Sequence, residues 1–361
     1  MNILIIGNGS TGVDENNCMF INKHTGNFLN GLRKYFNVSF CQFGVVYSKE
    51  SDLSSFSLTD NKIISIIFPS LKNPLSFFKA INLILKSDFV YLFFPGNLSR
   101  VFGLLSILLG KKFGIYLRGQ YFSEYWFDKI ILRKASFILT VSPFFIDLLK
   151  SINLNVEVIK PMIDISMDDL YLEDRSWDKQ VLRILTVGRV EKRKGIDELL
   201  DIAKMLRESG VSFVWDVVGG GESITKYKDR VSYMNLESHI LFHGQISEKN
   251  ELNTFYKNSD IFVFLSHDEG FPRVLYEAMA FKLPIFTTFV GGIPGRMVDK
   301  VNCFELPVRN SVKSFHILLS YLNHPLDIEF VSNEGQNTLK DMIIGGLKSH
   351  EELVIKNFKN S

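Results

Sequence analysis

Residues 258–295 read NSDIFVFLSHDEGFPRVLYEAMAFKLPIFTTFVGGIPG, and the rest of the chain is arranged around them. Ile261–Leu265 is an unbroken apolar run between Asp260 and Ser266, the pattern of a strand covered on both faces. A polar loop, Ser266–Phe271, follows it. Pro272 stands where a first helical residue belongs, because its missing N–H costs nothing there. The spacing predicts a helix over Pro272–Phe281, a second strand over Pro284–Thr287 and a Gly-rich turn beyond. A helix start at the carboxyl end of a parallel strand leaves backbone N–H groups, from Arg273 onward, pointing at the loop, which suits an anion. Two carboxylates flank that position, Glu269 in the loop and Glu277 two turns into the helix.

The same alternation runs through the chain. Strands are expected at Asn2–Ile6, Val38–Phe43, Ile63–Phe68, Phe89–Phe94, Phe113–Leu117 and Val156–Ile159 in the first part. In the second they fall at Val181–Val187, Phe213–Val218 and Ile240–His243. Helical spacing lies between them, as in Pro74–Lys86, Val101–Leu109 and Ile196–Glu208, so parallel sheets with right-handed crossovers follow. At 361 residues and 46% hydrophobic content the chain suits two such α/β domains. Ser166–Lys179 reads as an acidic linker between them.

Composition narrows the chemistry. A net charge of +2 argues against bulk nucleic-acid binding, although residues 1–160 carry 17 Lys and Arg against 10 Asp and Glu. That basic first part is a solvated surface or a face for anionic headgroups and phosphorylated acceptors. The Phe/Leu/Ile stripes of Phe77–Lys86 and Val101–Lys112 read as core. With Lys79, Lys86, Arg100, Lys111 and Lys112 beside them they also fit a face lying on a membrane. Cys18, Cys41 and Cys303 are scattered, without metal spacing, which fits a reducing compartment. A strand directly at Asn2 predicts no secretory leader, and the apolar runs are short of the roughly 20 residues of a membrane span. The expected location is cytoplasmic, with peripheral attachment to the inner membrane face as an extension.

Gly7-Asn8-Gly9-Ser10-Thr11-Gly12 matches G-x-G-x-x-G after a strand. Against a dinucleotide site stand the acids Asp14 and Glu15 where a pyrophosphate would sit, and Gln42-Phe43-Gly44 at the end of strand two, which offers no acid to a ribose. A flexible Gly-rich loop remains. His239, His243 and His267 have no metal spacing and read as structural or polar loop residues.

Glu269-Gly-Phe-Pro-Arg-Val-Leu-Tyr-Glu277 resembles the Glu-x7-Glu signature of retaining glycosyltransferases of the GT-B fold, family four. Gly188-Arg189 with Lys194-Gly195 is similar to that family's G-R-x4-K-G element. Together these cover about 182–298; the likeness before residue 160 is patchy. The resemblance implies two Rossmann-like domains facing across a cleft. They would be an acceptor-side domain at 1–165 and a nucleotide-sugar domain at 166–335, with a C-terminal helix at 336–361 returning to the first. It implies transfer of a sugar from a nucleotide-sugar, UDP- or GDP-linked, to an acceptor hydroxyl with retained anomeric configuration. Its expected sites are catalytic Glu269, Arg189 and Lys194, and donor-binding Gly9, Arg118, Ile246, Gly270, Phe271, Arg273, Val274 and Glu277.

Arg189 and Lys194 would stabilise the departing diphosphate. Glu277 would take the ribose hydroxyls, Glu269 the donor sugar, and the backbone near Ile246 the base. Each has a plainer reading as well: a solvated charge run, a loop acid, and an Arg273 partner at i, i+4. Arg118 stands where the family often has a histidine. It would reach a phosphate or acidic acceptor, or make an interdomain salt bridge. Gly295 replaces the family's frequent Glu after Pro294. No Asp-x-Asp is present, so metal-independent activity without a cofactor is expected. The acceptor expected from the basic first half is a saccharide or lipid-linked saccharide of bacterial surface-polysaccharide assembly. A GT-B sugar-nucleotide epimerase, a NAD-dependent dehydrogenase using the first Gly-rich segment, and a non-catalytic sugar binder are the rival readings.

Overall fold

The computed structural model describes residues 1–13, 18–46, 56–61, 63–68, 74–117, 125–160, 163, 165–176, 180–270 and 272–359. Its contacts divide the chain into two compact units, Met1–Met162 with Leu347–Ser361, and Ile163–Gly346. Boundaries at 165 and 335 were the expectation; the divisions fall at 162 and 346.

In the first unit the order is β1 (Asn2–Val13), β2 (Met19–Ile21), α1 (Lys23–Arg33), β3 (Asn37–Val46), β4 (Phe56–Ser57), β5 (Ile64–Phe68), α2 (Pro74–Lys86) and β6 (Phe89–Phe94). It continues with α3 (Asn97–Leu108), β7 (Phe113–Leu117), α4 (Trp126–Lys134), β8 (Phe137–Thr140), α5 (Ile146–Lys150) and β9 (Val156–Val158). The parallel strands stand as β5-β3-β1-β6-β7-β8-β9; β2 pairs antiparallel with the end of β1, and β4 antiparallel with β2. α4 and β8 have no counterpart among the sequence-based expectations.

The second unit contains β10 (Leu182–Val187), α6 (Ile196–Glu208), β11 (Phe213–Val218), α7 (Ile224–Tyr233), β12 (Ile240–Gly244), α8 (Lys249–Asn258), β13 (Ile261–Phe264), α9 (Arg273–Ala280), β14 (Ile285–Thr288), β15 (Phe304–Leu306), α10 (Ser311–Leu322) and α11 (Pro325–Ile344). Its strands are all parallel, in the order β12-β11-β10-β13-β14-β15. Both sheets therefore start in the middle and reverse direction there. In such sheets a crevice opens at the carboxyl ends of the strands flanking the reversal, here β10 and β13.

Burial explains the strands. Every residue of β6, β7, β8, β13 and β14 is buried, as sheets covered on both faces require. Three strands of the second sheet share one polar relay. Trp215, fully buried on β11, donates from Nε1 to Thr186 Oγ1 at 3.0 Å, and that hydroxyl donates to Val263 O at 2.7 Å. A buried indole N–H left unpaired would cost about 1–3 kcal/mol, so Thr186 on β10 fixes β11 and β13 against it.

Two expectations change. Ser166–Lys179 is not a free linker over its described part. Ser166 caps a short turn against Asp169, Leu170 is buried, and the Arg175 guanidinium donates to the carbonyls of Phe281, Tyr256 and Ser259, sealing the segment onto the second unit. The C-terminal helix expected at 336–361 is, over its described part, the end of one helix and the whole of another. α11 stays with the second unit, where Gln336 Nε2 donates to Tyr171 O and Ala280 O. α12 (His350–Lys359) packs on the first. There the His350 ring stacks on Phe28 at 4.1 Å, its Nε2 lies 2.7 Å from Tyr91 Oη, and Phe358 meets Phe89 edge-on.

Candidate active site

The site grows from two turns at the reversal point of the second sheet. β10 ends at Val187, and its chain turns through Gly188-Arg189-Val190. Gly188 N donates to Val218 O, Val190 N to Gly220 O and Gly219 N to Gly244 O, so the ends of β10, β11 and β12 are stitched together. Only glycine fits two of these places. Gly219 has φ +146, and a Cβ there would lie 1.9 Å from Gly188 O. Gly195, at φ +73, opens α6 so close to β13 that a Cβ would lie 2.2 Å from Leu265 O.

That approach sets Lys192–Lys194, a single tight helical turn, beside the loop after β13. Lys194 Nζ pairs with Glu269 Oε1, and both side chains are largely buried. The Ser266 hydroxyl is 2.9 Å from the same carboxylate oxygen, and Thr288 Oγ1 donates to Ser266 O at 2.5 Å. Glu269 is thereby fixed by a cation and a hydroxyl, rather than waving as a loop acid. Arg193 instead pairs outward with Glu191 at 3.0 Å. Arg189 is exposed, and no described residue forms an ion pair with it. One cation of the expected couple is thus committed to Glu269 and the other is open to solvent.

α9 begins at Arg273 with Pro272 as its N-cap, one place earlier than the N1 position expected of that proline. The consequence for the loop is unchanged, since the amides of Arg273 and Val274 belong to the first turn, which holds no acid. Gly270 is pinned by Gly292 N, which donates to its carbonyl at 2.7 Å. Glu277 accepts from the Tyr256 hydroxyl on α8 at 2.7 Å. Burial raises its carboxyl above the ordinary range, while Tyr256, Arg273 and Lys249 pull it back. Its direct partner is therefore Tyr256 and not the i−4 arginine. Tyr256 stacks on Phe281 at 5.4 Å, which holds the phenol in place.

Ile246 is half-buried beyond the end of β12, two places after Gly244, whose carbonyl accepts from Gly219 N. α8 opens with Glu248 as its N-cap, without a side-chain cap bond. The second unit thus gathers Arg189, Lys194, Glu269, Gly270, Arg273, Val274 and Glu277 at one edge of one sheet. Arg118 and Phe271 lie outside the described residues.

Gly9 belongs to the first unit and is not in a loop. β1 runs through the whole Gly7–Gly12 segment as strand, with a register shift between Ile6 and Ser10. The buried Gln42 donates to Thr11 Oγ1 at 2.7 Å, and its Oε1 would lie 2.5 Å from a Cβ on Gly7. A side chain at Gly7 would collide with that amide. Residues the sequence did not single out include Tyr256, Thr288 and the partners of His267. Their sequence separations from the residues they hold show no period.

Among the described residues no group of three or more His, Cys, Asp and Glu is placed to hold a metal ion. No described helix is long and apolar enough to cross a membrane.

Comparison with known proteins adds the following. Residues 169–323 match the family described as glycosyl transferases group 1. An uncharacterized glycosyltransferase of Haemophilus influenzae is 34% identical over 141 residues, 38% of this chain and 39% of that one. The amylovoran biosynthesis glycosyltransferase AmsK of Erwinia amylovora is 27% identical over 155 residues, 41% of this chain and 38% of that one. In these two matches the chain spans about two fifths of the relative's length. The crystal structure of Anabaena Alr3699/HepE in complex with UDP superposes with a TM-score of 0.70 at 14% identity, covering 100% of both chains. At that identity the likeness establishes the fold, the two-unit GT-B architecture.

Proposed function

We propose that this chain, whose residues 169–323 match the group 1 glycosyl transferases, transfers a sugar from a nucleotide-sugar to an acceptor hydroxyl with retention of configuration, in bacterial surface-polysaccharide biosynthesis. One observation carries the reading. A cation, a carboxylate and a helix start converge at the reversal point of the second sheet, with Lys194 holding Glu269 and α9 opening beside them.

In this mechanism the bond between the anomeric carbon and the diphosphate oxygen breaks as the acceptor oxygen bonds to that carbon on the same face. The acceptor's proton passes to the departing phosphate. Negative charge grows on the diphosphate, and Arg189, Lys194 and the α9 amides stabilise it there. Glu269 holds donor-sugar hydroxyls beside the developing oxocarbenium. Glu277 receives the ribose hydroxyls, and the backbone at Ile246 the base. No step requires a metal or cofactor.

A lipid-linked saccharide is the proposed acceptor, with the protein lying on the cytoplasmic membrane face. Support comes from α2, which is apolar on its exposed face as well as on the face it buries. It buries Ser76, Ala80 and Ile84 and exposes Leu75, Phe77, Phe78 and Leu85, at 74%, 49%, 70% and 53% accessibility. Lys79 and Lys86 are exposed beside them, as on a helix lying at an anionic interface. Failure to float with anionic vesicles at low salt would remove this part of the proposal.

The reaction itself is tested by thermal shift across a panel of UDP- and GDP-sugars. A donor at 100 times its Kd adds about 2.7 kcal/mol to the folded state. Incubation of the stabilising donor without acceptor then separates transfer from epimerisation, since an epimerase converts it alone.

A further inference from the structure

We propose that His267 is a positioning residue that holds the Glu269 loop in register through a three-segment staple with Glu198 and Arg309. The inference deepens the reading above and rests on Glu269 as the donor-sugar ligand.

The imidazole is nearly buried, with its side chain 8% accessible. Nε2 lies 3.0 Å from Glu198 Oε1 in the first turn of α6, and Arg309 Nε lies 3.4 Å from Nδ1. A guanidinium can only donate, so Nδ1 presents its lone pair, and the ring proton sits on Nε2 and donates to the Glu198 carboxylate. The two partners thus select one tautomer of a neutral ring. Arg309 follows β15 and holds φ +55, a conformation uncommon for a side-chain-bearing residue.

His267 is also tied by its backbone, its N donating to Arg193 O at 2.9 Å. One residue therefore joins the Glu269 loop to the cation-bearing turn, to α6 and to the turn before α10. Ser266 precedes it and Glu269 follows two places on. A rotation of the ring carries the loop with it and moves the Glu269 carboxylate away from Lys194. A displacement of about 1 Å at a reacting group costs on the order of 100-fold in rate. Neither Glu198 nor Arg309 needs to touch substrate for this effect.

Hydrogen exchange on the full chain tests the staple without knowledge of the donor. H267A is expected to accelerate exchange over 266–270 by about tenfold or more, with the strands of both sheets unchanged. H267Q, whose amide can still donate to Glu198, is expected to restore most of that protection. Unchanged exchange in H267A overturns the proposal. So does a uniform acceleration across the second unit that H267Q leaves in place, because it marks a packing role. Should H267A fail to fold, R309A, at an exposed residue, is expected to loosen the same segment by about threefold, and no change there overturns the staple. With the donor from the panel, kcat of H267A should fall about 10- to 100-fold and recover in H267Q. UDP calorimetry on the unaltered chain tests the functional reading separately: absent binding would remove the reaction while leaving the exchange result to stand or fall alone.

Discussion

The two sheets have the same central strand order, yet their first strands end in opposite ways. β1 carries a G-x-G-x-x-G pattern and runs straight through it as strand to Val13. β10 stops at Val187 and turns sharply, with Gly195, Gly219 and Gly221 in positive φ around the turn. Glycine spacing alone therefore does not tell the two edges apart. What separates the edges is the work their glycines do. In the first unit Gly7 makes room for the buried Gln42 amide; in the second the glycines let backbone pass against backbone and bring cations beside acids.

The largest effect expected of this contrast is on stability. Gly219→Ala and Gly195→Ala should each cost at least about 3 kcal/mol in urea unfolding, because backbone carbonyls stand where the methyl must go. Gly9→Ala should cost less than about 1 kcal/mol, since the nearest atom, Gln42 Oε1, would be 3.6 Å away. Equal losses would erase the distinction between the two edges.

Next in size is turnover. Glu269→Gln should lower kcat by about 100- to 1,000-fold while UDP affinity, measured by calorimetry, changes only a few fold. Loss of UDP binding in the same variant would give Glu269 a nucleotide role instead.

A smaller effect comes from Glu277. Burial holds its proton more tightly in the folded chain than in the unfolded one, so ionisation works against folding. Whatever stability this group adds is present below its unfolded pKa, about 4.3, and is lost as pH rises through the elevated folded value. Glu277→Gln should therefore raise Tm by about a degree or two near pH 7, and the gain should vanish in acid. A gain over the unaltered chain that shrinks as pH rises would contradict this sign. The same variant should bind UDP more weakly, so the residue exchanges stability for ligand contact.

The smallest effect lies on α2. Phe77→Ser with Phe78→Ser should change folding stability by no more than about 1 kcal/mol. Phe28→Ala, in the aromatic cluster under α12, should cost about 3–5 kcal/mol.

Much of the second unit was legible because its signals are local. β13 is a continuous apolar run, Pro272 marks the opening of α9, and the Leu199, Leu200, Ala203 and Leu206 spacing gives α6, whose observed bounds equal the expected ones. The extension of β1 was not legible, because residues 10–13 are held as strand by pairing with β2 and the second half of β3. α2 is apolar on more than one face, so its period could not say which face turns inward. His267 looked like a lone histidine because its partners are 69 and 42 residues away in the chain. Glu277 was matched to Arg273 by helical spacing, whereas the hydrogen bond comes from Tyr256 on another helix.

A crystal of the chain soaked with UDP, and separately with GDP, places the nucleotide on one edge or the other. The diphosphate is predicted within hydrogen-bonding distance of Arg189, Lys194 and the first amides of α9, with the ribose against Glu277. A nucleotide seated instead along Gly7–Gly12 of the first unit would contradict the account.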